Sequence, residues 1–339
     1  MPMRIFAYEF ITGGGLLHDP LPQSLAIEGD MMVNALLDDL IRLPDIEVLV
    51  SRDPRLAFGT AGVDCMSPSA GEDPFVAFAR GVRQCDAVWP IAPETGGVLE
   101  ELSRIVVEEG RLLLGSQPEA VAIAASKSRT IEVLEEAGIR CVPTFSDPAR
   151  VTPIPGPWVI KPDDGAGCAD ASVVASWQDA RGWLDARAGE GFVAQPWYEG
   201  PSLSLSTICQ DGKSVLLSCN RQHVRRHDSR LELEGITVNA LDDALGTYSN
   251  IARRIAAVMP GLRGYVGVDL ISTETDSIVL EVNPRLTTSY CGLRDALGFN
   301  PAELVISSTC DTALLALPIS PLARALHAVR VDLHSGHVH

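Results

Sequence analysis

Positive charge is scarce in this sequence of 339 residues. Lysine and arginine number 27 against 44 aspartate and glutamate residues, a formal net charge of −17. Proteins that bind DNA or RNA backbones need clustered cations to displace counterions, so we expect no nucleic-acid partner. The balance does not exclude a nucleotide, because a few local cationic side chains and a divalent ion can hold a triphosphate.

Long apolar runs are missing too. No stretch approaches the ~20 consecutive apolar residues that span a bilayer, so we expect no membrane segment. The apolar start of the chain is short and carries Glu9, which indicates a first strand and not a signal peptide. With 46% apolar and 21% charged residues, the composition is that of a globular chain of two or three domains.

Paired cysteines are also lacking. The eight cysteines are scattered singly, with no CxxC motif. Such a pattern is typical of reduced, mostly buried thiols, and we expect a cytoplasmic location. Cys168 and Cys291 adjoin candidate site segments, but the chemistry inferred from the motifs needs no thiol, so we interpret both as packing residues.

Strands and helices alternate along the first 145 residues or so. This order predicts a parallel sheet with helices on both faces, whose ligands bind beyond the carboxyl ends of the strands. The predicted strands are residues 4–10, 46–51, 87–93 and 112–114, and the predicted helices are residues 25–43, 75–83 and 98–109.

Four prolines crowd residues 146–157, which we interpret as a boundary. Beyond it the pattern is typical of an α+β region with antiparallel strands. The predicted strands there are residues 158–161, 192–198, 202–210, 214–220, 264–273 and 277–282, with helices over residues 177–187 and 241–258.

Three segments can contact a nucleotide. Lys161 ends a predicted strand, and the loop after it contains Gly165 and Gly167; the lysine can reach phosphate oxygens while backbone N–H groups close over them. Lys127 stands just before a predicted helix over residues 130–137. Residues 195–200 end a strand in a glycine turn that can offer a flat apolar wall to a base. Each alone is also typical of a hairpin or a solvated surface.

The most informative motif lies in two consecutive predicted strands. Asp269 is in the middle of the first, and Glu281 and Asn283 are two apart in the second, so they project from one face. Three oxygen-bearing side chains among apolar residues are costly unless a cation lies between them, and such ligands suit Mg²⁺. Arg285 follows, where a guanidinium can hold a phosphate. A solvated sheet face is the alternative.

The order and spacing of these motifs resemble those of the ATP-grasp superfamily of ligases, over about residues 95–295. Within that superfamily the chain resembles the tyramine–glutamate ligases of methanofuran biosynthesis. The segments that carry this finer resemblance are residues 8–10, 13–15, 93–97, 220–222 and 283–290.

The resemblance implies a fold of mixed α/β and α+β class. A doubly wound pre-ATP-grasp domain would comprise residues 1–114, a small lid domain residues 115–200, and a C-terminal α+β domain residues 201–325, followed by a tail over residues 326–339. Residues 163–168 would form the mobile lid loop.

The resemblance also implies the ligands and the residues that hold them. ATP would bind through Lys127, Lys161, Gly165, Gly167, Gln195, Pro196 and Trp197, and Mg²⁺ or Mn²⁺ through Asp269, Glu281 and Asn283. Arg285 and Lys161 would be catalytic. Many superfamily members bind the ribose through a glutamate where this chain has Ser202, so Ser202, Glu199 or a water would replace it. The candidate substrate residues are Glu9, Gly14, Glu94, Arg225, Thr288 and Ser289.

The implied activity is an ATP- and Mg²⁺-dependent ligation of a carboxylate and an amine through an acylphosphate. Glutamate and tyramine, or a tyrosine-like amine, would be the substrates. A ligase for another amino acid or peptide, a nucleotide-binding regulator without turnover and a small-molecule phosphotransferase stay open, as does association into a homo-oligomer. A dehydrogenase is disfavoured because residues 13–15 do not fit GxGxxG. We interpret the C-terminal histidines as part of a frayed terminus.

Overall fold

The computed structural model describes residues 2–165, 171–310, 327–333 and 336–338. It begins with a parallel sheet. The strands of this sheet are β1 (Met3–Glu9), β2 (Ile46–Ser51), β3 (Val63–Met66), β4 (Ala87–Ile91) and β5 (Leu112–Leu113). Their order in space is β3-β2-β1-β4-β5, so the winding reverses between β1 and β4. Ligands of such sheets bind beyond the strand ends at that reversal.

Helices that accompany this sheet begin at identifiable caps. The Asp73 carboxylate and the Ser126 hydroxyl accept backbone N–H groups in the first turns of two of them. The helices are α1 (Gln23–Leu40), α2 (Pro74–Val82), α3 (Val98–Glu108), α4 (Pro118–Ala124) and α5 (Lys127–Glu136).

A second sheet is formed by the rest of the chain. Its strands are β6 (Trp158–Pro162), β7 (Ser172–Val174), β8 (Phe192–Pro196), β9 (Ser202–Gln210), β10 (Lys213–His227), β11 (Arg230–Leu241), β12 (Gly264–Ser272), β13 (Ser277–Asn283), β14 (Val329–Asp332) and β15 (His337–Val338). The main order is β13-β12-β9-β10-β11-β7-β6-β8, and β14 pairs with β11 and β15. Its pairings are antiparallel, as the alternating sequence pattern predicts.

Further helices cover this sheet or join it to the first. Ala180 and Leu184 of α6 pack with Trp158 under β6 and β8, and α7 packs on β9 and β10. The helices are α6 (Trp177–Ala186), α7 (Thr247–Val258), α8 (Leu293–Leu297) and α9 (Pro301–Cys310).

Helix α1 is fastened to the C-terminal region as well as to its own sheet. Leu36 and Leu37 of α1 share one apolar core with Leu293 of α8. The buried Asp39 carboxylate accepts hydrogen bonds from the Tyr290 hydroxyl at 2.8 Å and from Arg294 at 2.6 Å. The two parts of the molecule therefore share a core and a buried polar anchor.

Most predicted elements match the observed ones within a few residues, and the mixed α/β and α+β class is confirmed. The unpredicted elements are strands β3, β7, β11, β14 and β15 and helices α4, α8 and α9. The helix predicted over residues 241–258 is wrong at its start, because β11 runs to Leu241 and α7 begins at Thr247. The boundary interpreted at residues 146–157 does not separate the two sheets, because the chain on both sides of this segment contacts the second sheet. Phe145 pairs with Ala194, and the Pro157 carbonyl accepts a hydrogen bond from the Trp197 backbone amide.

Some predictions fall outside the described residues. These concern His334 and His339 of the tail, and Gly167 and Cys168 of the glycine loop. Within the described ranges, no helix is both long enough and apolar enough to cross a membrane.

Candidate functional site

A cavity of about 190 Å³ lies on one face of the second sheet. Strands from both ends of the sheet order, β13 and β8, contribute to its lining, so the sheet wraps around it. Site residues predicted from the sequence that line this cavity are Lys161, Gln195, Pro196, Trp197, Ser202, Asp269, Glu281, Asn283, Arg285, Thr288 and Ser289.

A pair of carboxylates lies at the centre of the lining. Asp269 of β12 and Glu281 of β13 are directly opposite each other in the strand register. The Asp269 carboxylate accepts hydrogen bonds from the Gln222 amide at 3.0 Å and from the Asn283 amide at 3.3 Å. The structure thus brings Asp269, Glu281 and Asn283 together, as the spacing predicts.

The two carboxylates have opposite electrostatic environments. Burial, and then the charge of Glu281, raise the pKa of Asp269. Burial also favours the protonated form of Glu281, but Lys161 and Lys127 outweigh it and lower the pKa of that carboxyl. The lysine Nζ atoms lie 3.6 and 3.8 Å from Glu281 Oε2. A cation beside Asp269 would stabilise the ionised pair.

The donor set fits a hard divalent cation. Asp269, Glu281 and Asn283 supply carboxylate and amide oxygens, which Mg²⁺ and Mn²⁺ prefer. In the part of the chain that the structure describes, no group of three or more His, Cys, Asp or Glu side chains is arranged to hold a metal. The protein would therefore supply few ligands, and phosphate and water oxygens the rest, as is usual for Mg²⁺ at nucleotide sites.

Lys127 acts on the glycine loop as well as on the acidic pair. Its Nζ donates to the carbonyl oxygens of Gly165 and, at 3.3 Å, Asp163, and it does not line the cavity. The start of α5 also holds the Asp163 carboxylate, which accepts from the Ser128 amide at 2.8 Å and from the Ser126 hydroxyl at 2.6 Å. The loop base is therefore anchored to α5 in this structure.

The candidate base-binding segment is an apolar wall whose polar groups are already engaged. The Gln195 amide donates to Thr144 Oγ1 at 2.8 Å, and the backbone amide of Trp197 donates to Pro157 at 2.9 Å. The Trp197 indole donates to Glu199 at 2.7 Å; Glu199 does not line the cavity, whereas Ser202 does. Other apolar residues of this region are Val142, Val159, Ile271 and Leu280.

Gly200 fixes the turn after this segment. Its φ is +150°, and an added Cβ would lie 2.0 Å from the Ser272 carbonyl oxygen. Only glycine allows the backbone to approach the β12–β13 hairpin this closely. The turn therefore sets the position of residues 195–197, which we call the base-binding wall, relative to the Asp269–Glu281 pair.

Arg285 is held by a carboxylate from the first sheet. Its Nε and Nη2 donate to the two carboxylate oxygens of Glu94, each at 3.0 Å, and both side chains are largely buried. Glu94 follows β4, at the winding reversal, so this pair joins the two parts of the chain at the cavity. Glu94 itself does not line the cavity.

The loop after β13 completes the cavity beside α1. Thr288 donates through its hydroxyl to Glu28 of α1, and Ser289 lies 3.4 Å from the Ser204 hydroxyl. Neither Glu28 nor Ser204 was predicted. Ser204 lies mid-strand in an ordinary alternation, and Glu28 reaches the cavity only through helix packing.

Four of the six candidate substrate residues do not line the cavity: Glu94, described above, and Glu9, Gly14 and Arg225. The Glu9 carboxylate is buried and accepts from the Ile11 and Thr12 amides, and Gly14 lies against Pro68. Arg225 forms a 2.8 Å ion pair with Glu234, because its neighbours in β10 face the cavity and it faces away. Gln222 of the same strand does line the cavity, and the motif at residues 220–222 indicates this site residue.

Comparison with known proteins agrees with this geometry. The pre ATP-grasp 3 domain model matches residues 46–121, and an ATP-grasp domain model matches residues 124–289. The chain has the ATP-grasp fold, with a pre-ATP-grasp domain before it.

The chain resembles two curated ligases from the genus Methanocaldococcus. It is 28% identical to the tyramine–L-glutamate ligase of Methanocaldococcus fervens over 91% of this chain and 95% of that protein. It is 30% identical to the enzyme of the same name from Methanocaldococcus jannaschii over 66% of this chain and 63% of that protein. The resemblance predicted from the motifs is thereby confirmed, and the chain is an ATP-dependent carbon–nitrogen ligase of the ATP-grasp type.

Solved structures share the fold at low sequence identity. An ATP-grasp superfamily protein from Archaeoglobus fulgidus aligns with a TM-score of 0.72 at 22% identity, covering 97% of this chain and 92% of that one. An L-amino acid ligase from Bacillus licheniformis aligns with a TM-score of 0.67 at 15% identity, covering 97% and 79%.

Proposed function

We propose that this protein joins the carboxylate of an amino acid, glutamate, to the amine of tyramine or a similar arylalkylamine at the expense of ATP. The names of the curated relatives support glutamate and tyramine as the substrates. The reaction would belong to methanofuran-type cofactor biosynthesis, as the resemblance of the motifs implies. The observation that carries the proposal is the cavity in which the Asp269–Glu281 pair, Lys161 and Arg285 meet. Unpaired cysteines among the described residues accord with a cytoplasmic enzyme.

The nucleotide would lie between the base-binding wall and the acidic pair. Trp197 and Pro196 would pack on the adenine, and Ser202 would be nearest the ribose. Lys161 would bind phosphate oxygens directly. Lys127 would act through the Gly165 carbonyl and through Glu281, because its Nζ is directed at those groups.

Asp269, Glu281 and Asn283 would hold Mg²⁺ or Mn²⁺, which neutralises phosphate charge when bound. Arg285, oriented by Glu94, would steady the transferred phosphoryl group. The protein contributes position and charge, and no covalent enzyme intermediate is needed.

The proposed chemistry has two steps. A carboxylate oxygen of glutamate attacks the γ-phosphorus, ADP leaves, and an acylphosphate forms. The amine nitrogen then attacks the acyl carbon, the amine loses a proton, and inorganic phosphate leaves with the former carboxylate oxygen. The products are the amide, ADP and phosphate.

Isotope transfer tests this reaction. With carboxyl-¹⁸O-labelled glutamate, tyramine, ATP and Mg²⁺, one labelled oxygen should appear in the released phosphate in step with the amide. A phosphotransferase would leave the carboxylate label untouched and accumulate a phosphorylated product, and a regulator would show little turnover. Glutamate-dependent turnover without label transfer would refute the acylphosphate route.

A further inference from the structure

The cavity extends past the acidic pair along the β10–β11 hairpin. Gln222 and Val224 of β10 line it, and so do three apolar side chains of β11: Leu231, Leu233 and Ile236. Val224 pairs with Leu233 in the register, and Gln222 with Ile236, so these side chains share one face. We call Val224, Leu231, Leu233 and Ile236 the hairpin wall.

The opposite face of the hairpin is polar. Arg225 pairs there with Glu234, and His223 Nε2 lies 2.8 Å from the Thr237 hydroxyl. Val224 and Leu231 are half-buried, although the strand ends around them carry several charges. This alternation keeps an apolar surface facing the cavity near the proposed metal site.

One cavity carboxylate has no assigned partner of opposite charge. The carboxylates that line the cavity belong to Glu28, Asp269 and Glu281. Glu281 faces the two lysines, and Asp269 belongs to the metal set. Glu28 accepts a hydrogen bond from Thr288, and no lysine, arginine or histidine of the described ranges forms an ion pair with it.

Arg285 does not fill that role. Its charge and that of Glu28 interact, but its Nε and Nη2 both donate to Glu94 and its Nη1 donates to the Leu286 carbonyl. A carboxylate held by a threonine hydroxyl, in a cavity that also contains an apolar wall, suits an ammonium group attached to a hydrocarbon body.

We propose that Glu28 binds the ammonium group of the acceptor amine and that the hairpin wall packs on its aromatic body. This assignment rests on the proposed ligase function and specifies its acceptor class: a primary arylalkylamine. It places the amine beside Arg285, where the phosphoryl group would be transferred. The hairpin wall then recognises the aromatic ring, and Glu28 of α1 recognises the positive charge.

The charge assignment is tested with two ligands of nearly equal shape. Tyramine and its alcohol analogue, 4-(2-hydroxyethyl)phenol, are titrated into the protein by calorimetry in the presence of Mg²⁺ and a non-hydrolysable ATP analogue. We expect the wild type to prefer tyramine by at least ~30-fold, because a desolvated charge pair discriminates strongly. Glu28→Gln should bind both ligands equally.

The variant is designed to keep the fold. Glutamine retains an oxygen for the Thr288 hydroxyl, and thermal unfolding checks stability. Asp38→Asn is the matched control, because it removes an exposed carboxylate from the same helix about 15 Å away along the axis. Glu28→Gln should raise the KM for tyramine and leave the KM for ATP unchanged. An unchanged tyramine preference in Glu28→Gln would overturn the assignment.

The hairpin wall is tested by selectivity between amines. Val224→Ser and Leu231→Ala should each lower the preference for tyramine over ethylamine about tenfold, since apolar contact with the ring is lost. Leu245→Ala, at a side chain 94% exposed, should not change it. An equal preference for tyramine over ethylamine in the wild type and in the wall variants would refute the role of the hairpin wall in binding the ring.

The outcomes separate the two proposals. Suppose that the wild type forms the amide with label transfer and that Glu28→Gln keeps the wild-type preference for tyramine. The ligase function then stands, and the acceptor site at Glu28 is refuted. Absence of amide formation in the wild type with any amine refutes the ligase, whatever Glu28 does.

Discussion

At the scale of single residues, Glu281 is the carboxylate that lies closest to the other charged groups of the site. It lies opposite Asp269 and within 3.8 Å of both lysine Nζ atoms. Glu281→Ala should reduce ADP formation at least ~10²-fold, because a correctly held cation contributes several kcal/mol to stabilising the transferring charge. Glu274→Ala, an exposed carboxylate at the tip of the same hairpin, is the control. Wild-type rates in Glu281→Ala, or in EDTA, would contradict the metal assignment.

Glu9 is a buried carboxyl group whose protonation should affect stability. Burial raises the pKa of Glu9 to about 7, against the hydrogen bonds from Thr12 and Ile11 that lower it. The folded state therefore binds a proton that the unfolded chain releases near pH 4.5. The stability contribution is complete below that pH and is lost as pH rises through 7, by up to about 3 kcal/mol.

Glu9→Gln should remove this pH dependence. Urea unfolding of the variant and the wild type between pH 5 and 8 measures it: the wild type should lose stability relative to the variant as pH rises. Parallel curves would mean that Glu9 keeps one protonation state across this range.

At the scale of elements, the position of α1 depends on a glycine. A Cβ at Gly29 would lie 2.5 Å from Glu9 Oε2, so the helix approaches the end of β1 as only glycine permits. Gly29→Ala should destabilise the protein by about 1–3 kcal/mol, because overpacking outweighs the gain in helix propensity. It should also weaken amine binding, since Glu28 is the next residue on the same helix.

A second helical glycine supplies the control. Gly182 of α6 has no heavy atom within 4 Å of its added Cβ, so Gly182→Ala should stabilise the protein by about 0.5–1 kcal/mol. Chemical denaturation of both variants gives the comparison. A neutral or stabilising Gly29→Ala would show that α1 can shift freely.

Much of the fold, and the proximity of the three candidate metal ligands, could be predicted from the sequence, because both follow from local periodicity. Asp269, Glu281 and Asn283 share a face through strand geometry alone. The strand β11 has a readable alternation at Leu231 and Leu233, but the charges around the hairpin tip obscure its length. Glu28 could not be predicted, because packing between distant elements brings it to the cavity. Glu9 is instead held by local hydrogen bonds from Ile11 and Thr12 and does not line the cavity.

At the scale of the whole molecule, the Arg285–Glu94 pair joins the two sheets across the site. Glu94→Gln should cost about 2 kcal/mol of stability, less than the ~3–5 kcal/mol of deleting a buried partner, because the amide still accepts one hydrogen bond. It should lower kcat at least ~10-fold with little change in ATP affinity, since Arg285 loses its orientation and not its charge. Steady-state kinetics and nucleotide titration measure the two effects.

The surface provides a pair of the same geometry for comparison. Arg83 and Glu109 also form two hydrogen bonds, but Arg83 is well exposed. Glu109→Gln should change neither stability nor kcat measurably, because water screens exposed ion pairs. Similar losses in both variants would indicate a general charge effect and not a role of the buried pair.

Helix α1 is hydrogen-bonded near both of its ends to the C-terminal region, and these contacts affect how the protein unfolds. Glu28 is hydrogen-bonded to Thr288, and Asp39 to Tyr290 and Arg294, so α1 cannot leave its sheet without breaking contacts to the C-terminal region. Partial opening of the first sheet would expose the shared apolar core and leave the Asp39 carboxylate unsatisfied. We therefore expect the two regions to melt as one cooperative unit, and we expect no free-standing N-terminal fragment to retain the native arrangement.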